Sequence, residues 1–152
     1  MGWGVVDSEA GRLRHVAHGV IRSGTGTMPD RLARLFEGLN AVLEEWNPDG
    51  AAVEETFVNS NSTSSLKLGQ ARAICLLSPA LKGIELAEYA PNKIKKSVVG
   101  QGHASKDQIA HMVAMLLPGT RPESMDACDA LALAICHAHH SGSAAARIKV
   151  AS

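Results

Sequence analysis

One junction constrains this chain more than any other segment. Leu32, Leu35, Phe36, Leu39, Leu43 and Trp46 recur at steps of three and four, which places them on one face of a helix. Asn47-Pro48-Asp49-Gly50 stops that helix, and Ala51-Ala52-Val53 then reads as a short buried strand ending in two carboxylates, Glu54 and Glu55. An amphipathic helix running straight into a buried strand is the pattern of an α/β fold, with helices covering both faces of a sheet.

The flanks fit that pattern. Residues 3–6 and 15–22 are valine-rich and flank the turn-like Asp7-Ser8-Glu9-Ala10-Gly11, which predicts a hairpin. Residues 24–27 form a loop, and Pro29 sets the entry of the helix at Asp30. After a polar loop over 59–65, Leu66, Leu68, Ala71, Ile74, Cys75 and Leu77 carry a helix that Pro79 is expected to end. A strand over 84–89 follows, then helices over 92–99 and 105–117 joined at Gly100-Gln101-Gly102, and a last helix from near Ser124 to about His140. Residues 1–140 thus form one domain, and 141–152 are expected to fray as a flexible tail. Sheets of this kind bury their central strand, yet no segment ahead of the hairpin is there to supply it.

Composition narrows the partners. Lys plus Arg and Asp plus Glu each number 15 among 152 residues, so there is no net charge and no uniformly basic coat, although a local basic patch remains open. No run approaches the roughly 18 apolar residues of a membrane span, and no basic-then-apolar leader opens the sequence. Cys75, Cys128 and Cys136 are an odd number with no paired spacing, which argues against a disulfide scaffold or structural zinc and fits a reducing cytoplasm.

The chemistry concentrates in acidic residues. Glu54 stands where a buried strand emerges, the position at which ligands collect in open α/β sheets. Asp126 and Asp129 are three apart, so one helical turn puts both on the same face, flanked by Met125, Cys128, Leu131, Leu133 and Ile135. Like charges at a partly buried helix start repel unless a cation sits between them. A hard divalent ion favours a few carboxylates plus water and phosphate oxygens, so such a set suits phosphodiester hydrolysis. The other reading is that acidic residues in a first turn simply complement the helix dipole. Lys93, Lys95, Lys96 and Lys106 either grip a phosphate backbone or form a solvated face. Phe57 either stacks on an unpaired base or belongs to the core. His137, His139 and His140 fall short of a zinc site because only two share a helix face. Gly100-Gln101-Gly102 lacks the strand and third glycine of a dinucleotide loop.

Four segments together resemble the RuvC family of crossover junction endodeoxyribonucleases. They are Ala52-Val53-Glu54-Glu55-Thr56-Phe57, then Leu66-Lys67-Leu68-Gly69-Gln70-Ala71-Arg72, then Lys95-Lys96-Ser97-Val98-Val99-Gly100-Gln101-Gly102 with Lys106, and finally Asp126-Ala127-Cys128-Asp129-Ala130-Leu131-Ala132. Their order and spacing fit from Gly2 to about His140. The resemblance implies a ribonuclease H-like fold, a mixed sheet flanked by helices, working as a homodimer. It implies an enzyme of DNA recombination and repair that binds four-way DNA (Holliday) junctions and nicks two strands of like polarity, with Mg²⁺ or Mn²⁺ activating water. By position, Glu54, Asp126 and Asp129 match metal ligands and Lys106 joins them in the catalytic set. Lys95, Lys106 and Arg72 match DNA contacts, and Phe57 matches a ring inserted at the crossover. The RuvA and RuvB branch-migration proteins are the implied partners, with no membrane.

The departures define a second expectation. Relatives begin with a central strand carrying Gly-Xaa-Asp-Pro-Gly, whose aspartate is the first metal ligand, whereas Met1-Gly2-Trp3-Gly4-Val5 matches the segment after it. Asp7, in the hairpin turn, is no replacement. The strand is expected to be encoded upstream, and without it two rows of backbone groups lack partners and the fold is marginal. The alternative reading is a catalytically impaired junction-binding protein. Asn59-Ser60-Asn61 lacks a basic residue that relatives often carry, and Ala73 replaces a usual glycine. A third reading, an RNA-processing ribonuclease H-like nuclease, fits Phe57 and the 66–72 segment less well.

Overall fold

A computed structural model describes the backbone of residues 1–55, 62–141 and 145–151, and the side chains of 1–55 and 64–141. The hairpin forms from β1 (Gly2–Glu9) and β2 (Arg12–Val20). Its turn is tighter than the sequence suggested, since Ala10 and Gly11 alone reverse the chain, both at positive φ (49° and 78°). Two successive positive-φ residues give a turn whose twist matches that of the flanking strands, so pairing runs right up to Glu9 and Arg12.

Helix α1 (Met28–Trp46) starts on a capping box in which the Asp30 N–H donates to the Thr27 hydroxyl and the Thr27 N–H donates to the Asp30 carboxylate. It buries Leu35, Leu39, Val42 and Leu43, and Asn47 ends it in the left-handed region. Strand β3 (Gly50–Glu54) follows at once, buried up to its last residue. Helix α2 (Ser62–Leu81) runs past Pro79 rather than ending at it. A proline so near the end forfeits one intrahelical bond, and its own carbonyl takes the N–H groups of Lys82 and Ile84 as the chain turns. Strand β4 (Glu85–Tyr89), α3 (Pro91–Val99), α4 (Lys106–Leu116) and α5 (Met125–His140) complete the elements read from periodicity.

The sheet order is β2-β1-β5-β3-β4, where β5 (Ala145–Ala151) is a strand in the segment expected to fray. It pairs antiparallel with β1 and parallel with β3, filling the position left open between the hairpin and β3. The physical reason is that two facing rows of unpaired N–H and C=O groups are a template for any extended segment that can reach them. The slot that the sequence left open for a central strand is taken by β5.

Helices cover both faces. Leu39, Leu43, Val53 and Cys75 form the core under α1 and α2, and a larger core joins Val6, Ala52 and Tyr89 to α3, α4 and α5. Helix α5 lies closest to the sheet, with ten of its residues buried from Ala127 to His137. A Cβ on Gly2 would stand 2.0 Å from the Asp126 carbonyl oxygen, and one on Gly4 would stand 2.8 Å from the Leu131 side chain. Two glycines in β1 therefore set how near the helix comes. Among the described residues no helix is long and apolar enough to cross a membrane.

Removing residues 141–152 should abolish cooperative unfolding, because each buried backbone group left without a partner costs about 1–3 kcal/mol against a total of about 5–15 kcal/mol. Urea titration followed by circular dichroism reads this directly. An unchanged midpoint would show that β5 adds nothing to the sheet.

Candidate active site

Parallel pairing of β3 with both β4 and β5 brings the carboxyl ends of all three to one edge of the sheet. Glu54 is the last residue of β3, and the Glu55 N–H extends the ladder by one bond, 2.9 Å to the Tyr89 carbonyl. The start of α5 meets the same edge. Ser124 caps that helix by accepting from the Ala127 N–H at 3.2 Å, which fixes Asp126 in the first turn and Asp129 one turn further on. Glu54, Glu55, Asp126 and Asp129 line one cavity of about 640 Å³, together with Arg31, Arg72 and Ser23.

The carboxylates interact in a chain. Burial first, then repulsion from Asp129, pushes the Glu54 pKa up, while Lys95 pulls it back. Burial likewise raises Asp129; Lys106 opposes this, Asp126 adds repulsion and Lys95 opposes again. Asp129 thus stands between the other two carboxylates and feels both lysines. Lys95 comes from α3, which Gly100 ends at φ 85°, and Lys106 opens α4 behind a Ser105–Gln108 capping box. The lysines are therefore not a remote solvated face, since their charge reaches the carboxylates.

Arg72 is placed differently. Its guanidinium is paired with Glu88 on β4, and its Nε donates to the Glu54 carbonyl at 3.4 Å, so it ties α2 to the strand ends. Phe57 lies outside the described residues. Asp7 is paired with Arg14 within the hairpin. The C-terminal histidines have other partners: His137 shares a 2.9 Å hydrogen bond with Tyr89 Oη, His139 one of 3.2 Å with Ser97, and His140 approaches the Cys136 carbonyl at 2.7 Å. All three cysteines are free and buried.

Among the described residues no three His, Cys, Asp or Glu side chains converge on a single metal position. The donor set nevertheless suits a hard cation. Magnesium is commonly held by one or two carboxylates, with water and substrate phosphates completing the shell, rather than by a closed protein cage. Pairwise coupling of Glu54 with Asp129, and of Asp129 with Asp126, matches that mode. Arg31 and Ser23 line the cavity but were not singled out from the sequence. No local spacing links residues 23–31 to 54 or 126–129, so no signal in the sequence marked them.

A mixed sheet with helices on both faces, carrying acidic residues at the carboxyl end of a strand and the start of the facing helix, has the architecture of the ribonuclease H-like class. The family profile described as "Crossover junction endodeoxyribonuclease RuvC" matches residues 1–137. The RuvC enzyme of Paracoccus denitrificans is 56% identical over 149 residues, covering 98% of this chain and 91% of its own length. That of Paramagnetospirillum magneticum is 54% identical over 142 residues, covering 93% and 86%. A Thermus thermophilus RuvC structure superposes with a TM-score of 0.82 at 29% identity, covering 96% of this chain and 91% of that one. The same enzyme in complex with a Holliday junction substrate gives a TM-score of 0.85 at the same identity and coverage. The chain belongs to the RuvC family of crossover junction endodeoxyribonucleases.

The raised pKa values carry a sign. Between the unfolded and folded values, the metal-free folded protein binds protons that the unfolded chain does not. Its stability therefore falls as pH rises through that window and stays lower at neutral pH. Glu54→Gln and Asp129→Asn should each raise the Tm of the protein in EDTA at pH 7. The gain should vanish below about pH 4, where both states are protonated. A Tm gain that persists unchanged at low pH would assign it to packing instead.

Proposed function

We propose that this cavity cuts four-way DNA junctions by Mg²⁺-dependent hydrolysis, with Mn²⁺ as the substitute ion. The observation that carries the reading is the single cavity at the strand ends that Glu54, Asp126 and Asp129 line together, with the charges of Lys95 and Lys106 acting on Asp129. In pairs that share Asp129 rather than as one three-residue cage, Glu54, Asp126 and Asp129 would supply the carboxylates that hold the cation. When bound, it lowers the pKa of water to give a nucleophile and offsets charge on the leaving oxygen. The chain's own residues do the rest. Half-buried Glu54 and Asp129, fixed on a strand end and a capped helix, would set where the cation sits at the strand ends. Lys106 and Lys95 neutralise charge that builds on the phosphate oxygens during attack. Phe57, by resemblance, wedges the unpaired bases at the crossover. Arg72, already paired with Glu88, supports the wall and meets the DNA at its edge.

A symmetric four-way junction cut on two strands of like polarity calls for two active sites related by a twofold axis. Helix α2 supports a homodimer. It packs Ile74 and Cys75 into the core, while Leu66, Leu77 and Leu81 on its surface are 63%, 48% and 67% exposed. Being already partly buried, such leucines recover on the order of 1–2 kcal/mol each if covered by a second copy. RuvA and RuvB are partners on the strength of the resemblance, and a DNA substrate together with three free thiols favours the cytoplasm.

Asp126→Asn should reduce nicking of a synthetic four-way junction on the order of 1,000-fold, through lost charge stabilisation, while leaving junction binding in Ca²⁺ intact. A gel comparing the Mg²⁺ and Ca²⁺ lanes reads both. Full activity in that variant would overturn the site. Leu77→Glu combined with Leu81→Glu should convert a dimer into a monomer by light scattering, and a variant that remains dimeric would move the interface off α2.

A further inference from the structure

The cavity has a second wall that the metal site does not use. Arg31, in the first turns of α1, lines it, and its Nε and Nη2 both donate to the Ser23 hydroxyl, at 3.2 and 2.9 Å. A guanidinium has five N–H donors, so two are spent on one oxygen and three remain. Among the described residues Arg31 pairs with no carboxylate, whereas Arg72, the other arginine lining the cavity, is paired with Glu88. Arg31 is not needed to brace the 23–25 loop either. Arg34 does that by donating to the Ser23 carbonyl and, at 2.6 Å, to the Thr25 carbonyl. Arg31 lines the same cavity as Glu54, Asp126 and Asp129, while the cations whose charge acts on Glu54 and Asp129 are Lys95 and Lys106.

We infer that Arg31, oriented by Ser23, binds a backbone phosphate flanking the one that is cut. A half-buried guanidinium with unspent donors, aimed into a cavity and fixed by a neutral hydroxyl, suits a bidentate grip on a phosphodiester. The carboxylates mark where the phosphate is cut, and Arg31 fixes the strand at a second point on the cavity lining. That gives the strand a defined direction through the cavity. The inference rests on the reading of this cavity as the DNA-cutting site.

The test is the salt dependence of binding to a fluorescent four-way junction in EDTA, between 50 and 200 mM salt, roughly the range over which phosphate contacts are read out. Arg31→Gln keeps a donor for Ser23 and removes the charge. It should weaken binding about tenfold and make the log–log salt slope shallower by about 0.9, the value of one released counterion. Arg31→Lys should keep the slope. An unchanged slope in Arg31→Gln would overturn the inference, as would a lower Tm in that variant with the slope intact, which would make Arg31 a loop brace only. If the unsubstituted protein shows no salt-dependent junction binding, the reading of the cavity itself fails. If it binds and only the variant slopes agree with it, the inference alone fails.

Discussion

The approach of α5 to β1 is the contact on which the rest of the structure depends. Ten residues of that helix are buried, and its backbone at Asp126 comes so near Gly2 that a methyl group there would overlap the carbonyl oxygen. A helix held this close cannot rotate or slide without breaking contacts along its whole length, because interiors are packed like crystals. Its first turn is therefore a fixed platform. Asp126 and Asp129 point into the cavity because Ala127, Ala130, Leu131 and Ala134 are pinned against the sheet. At the other end, the same burial places His137 against Tyr89 and pushes its pKa down, so the imidazole is a neutral structural partner.

The site stores electrostatic cost. Glu54 and Asp129 are each held partly out of water and repel each other, and Asp126 adds to the repulsion on Asp129. The lysines offset part of this but do not cancel it. A fold that maintains such a cluster is less stable than the same fold with neutral residues, and on the proposed reading a bound cation would recover the deficit. This is the usual tension between a working active site and an optimised core. It also explains why the carboxylates sit on rigid elements, a strand end and a capped helix, rather than on a loop that could move them apart.

The sheet shows a second constraint. A parallel strand such as β3 must be paired on both sides if it is to be buried on both faces, since its backbone groups have no water to turn to. Here β4 meets one side and β5 the other, with β5 also closing the gap to the hairpin. The slot matters more than the sequence that fills it. Backbone pairing is largely indifferent to side chains, so a segment from the far end of the chain takes the position.

Much of the fold and part of the site were legible because they depend on short-range order. The period of Leu32 to Trp46 gave α1, the stop at 47–50 gave the entry to β3, and the three-residue step from Asp126 to Asp129 put two carboxylates on one face. Capping and turn residues belong to the same class, although the hairpin proved tighter and α2 longer than the local signals suggested. The placement of β5 was missed although Arg147-Ile148-Lys149-Val150 alternates polar and apolar, because four residues of alternation say nothing about which strands the segment will pair with. The grouping of Glu54 with Asp126, Asp129 and Lys106 was expected only through the resemblance, and the part of the cavity made by Ser23 and Arg31 was not legible at all. By itself the sequence determined the helices, strands β1 to β4 and the chemical type of each side chain, since these follow from neighbours one turn or one pleat away. Only the tertiary structure decided which charges share a cavity and which strand lies at the centre, since these depend on distances between residues tens of positions apart.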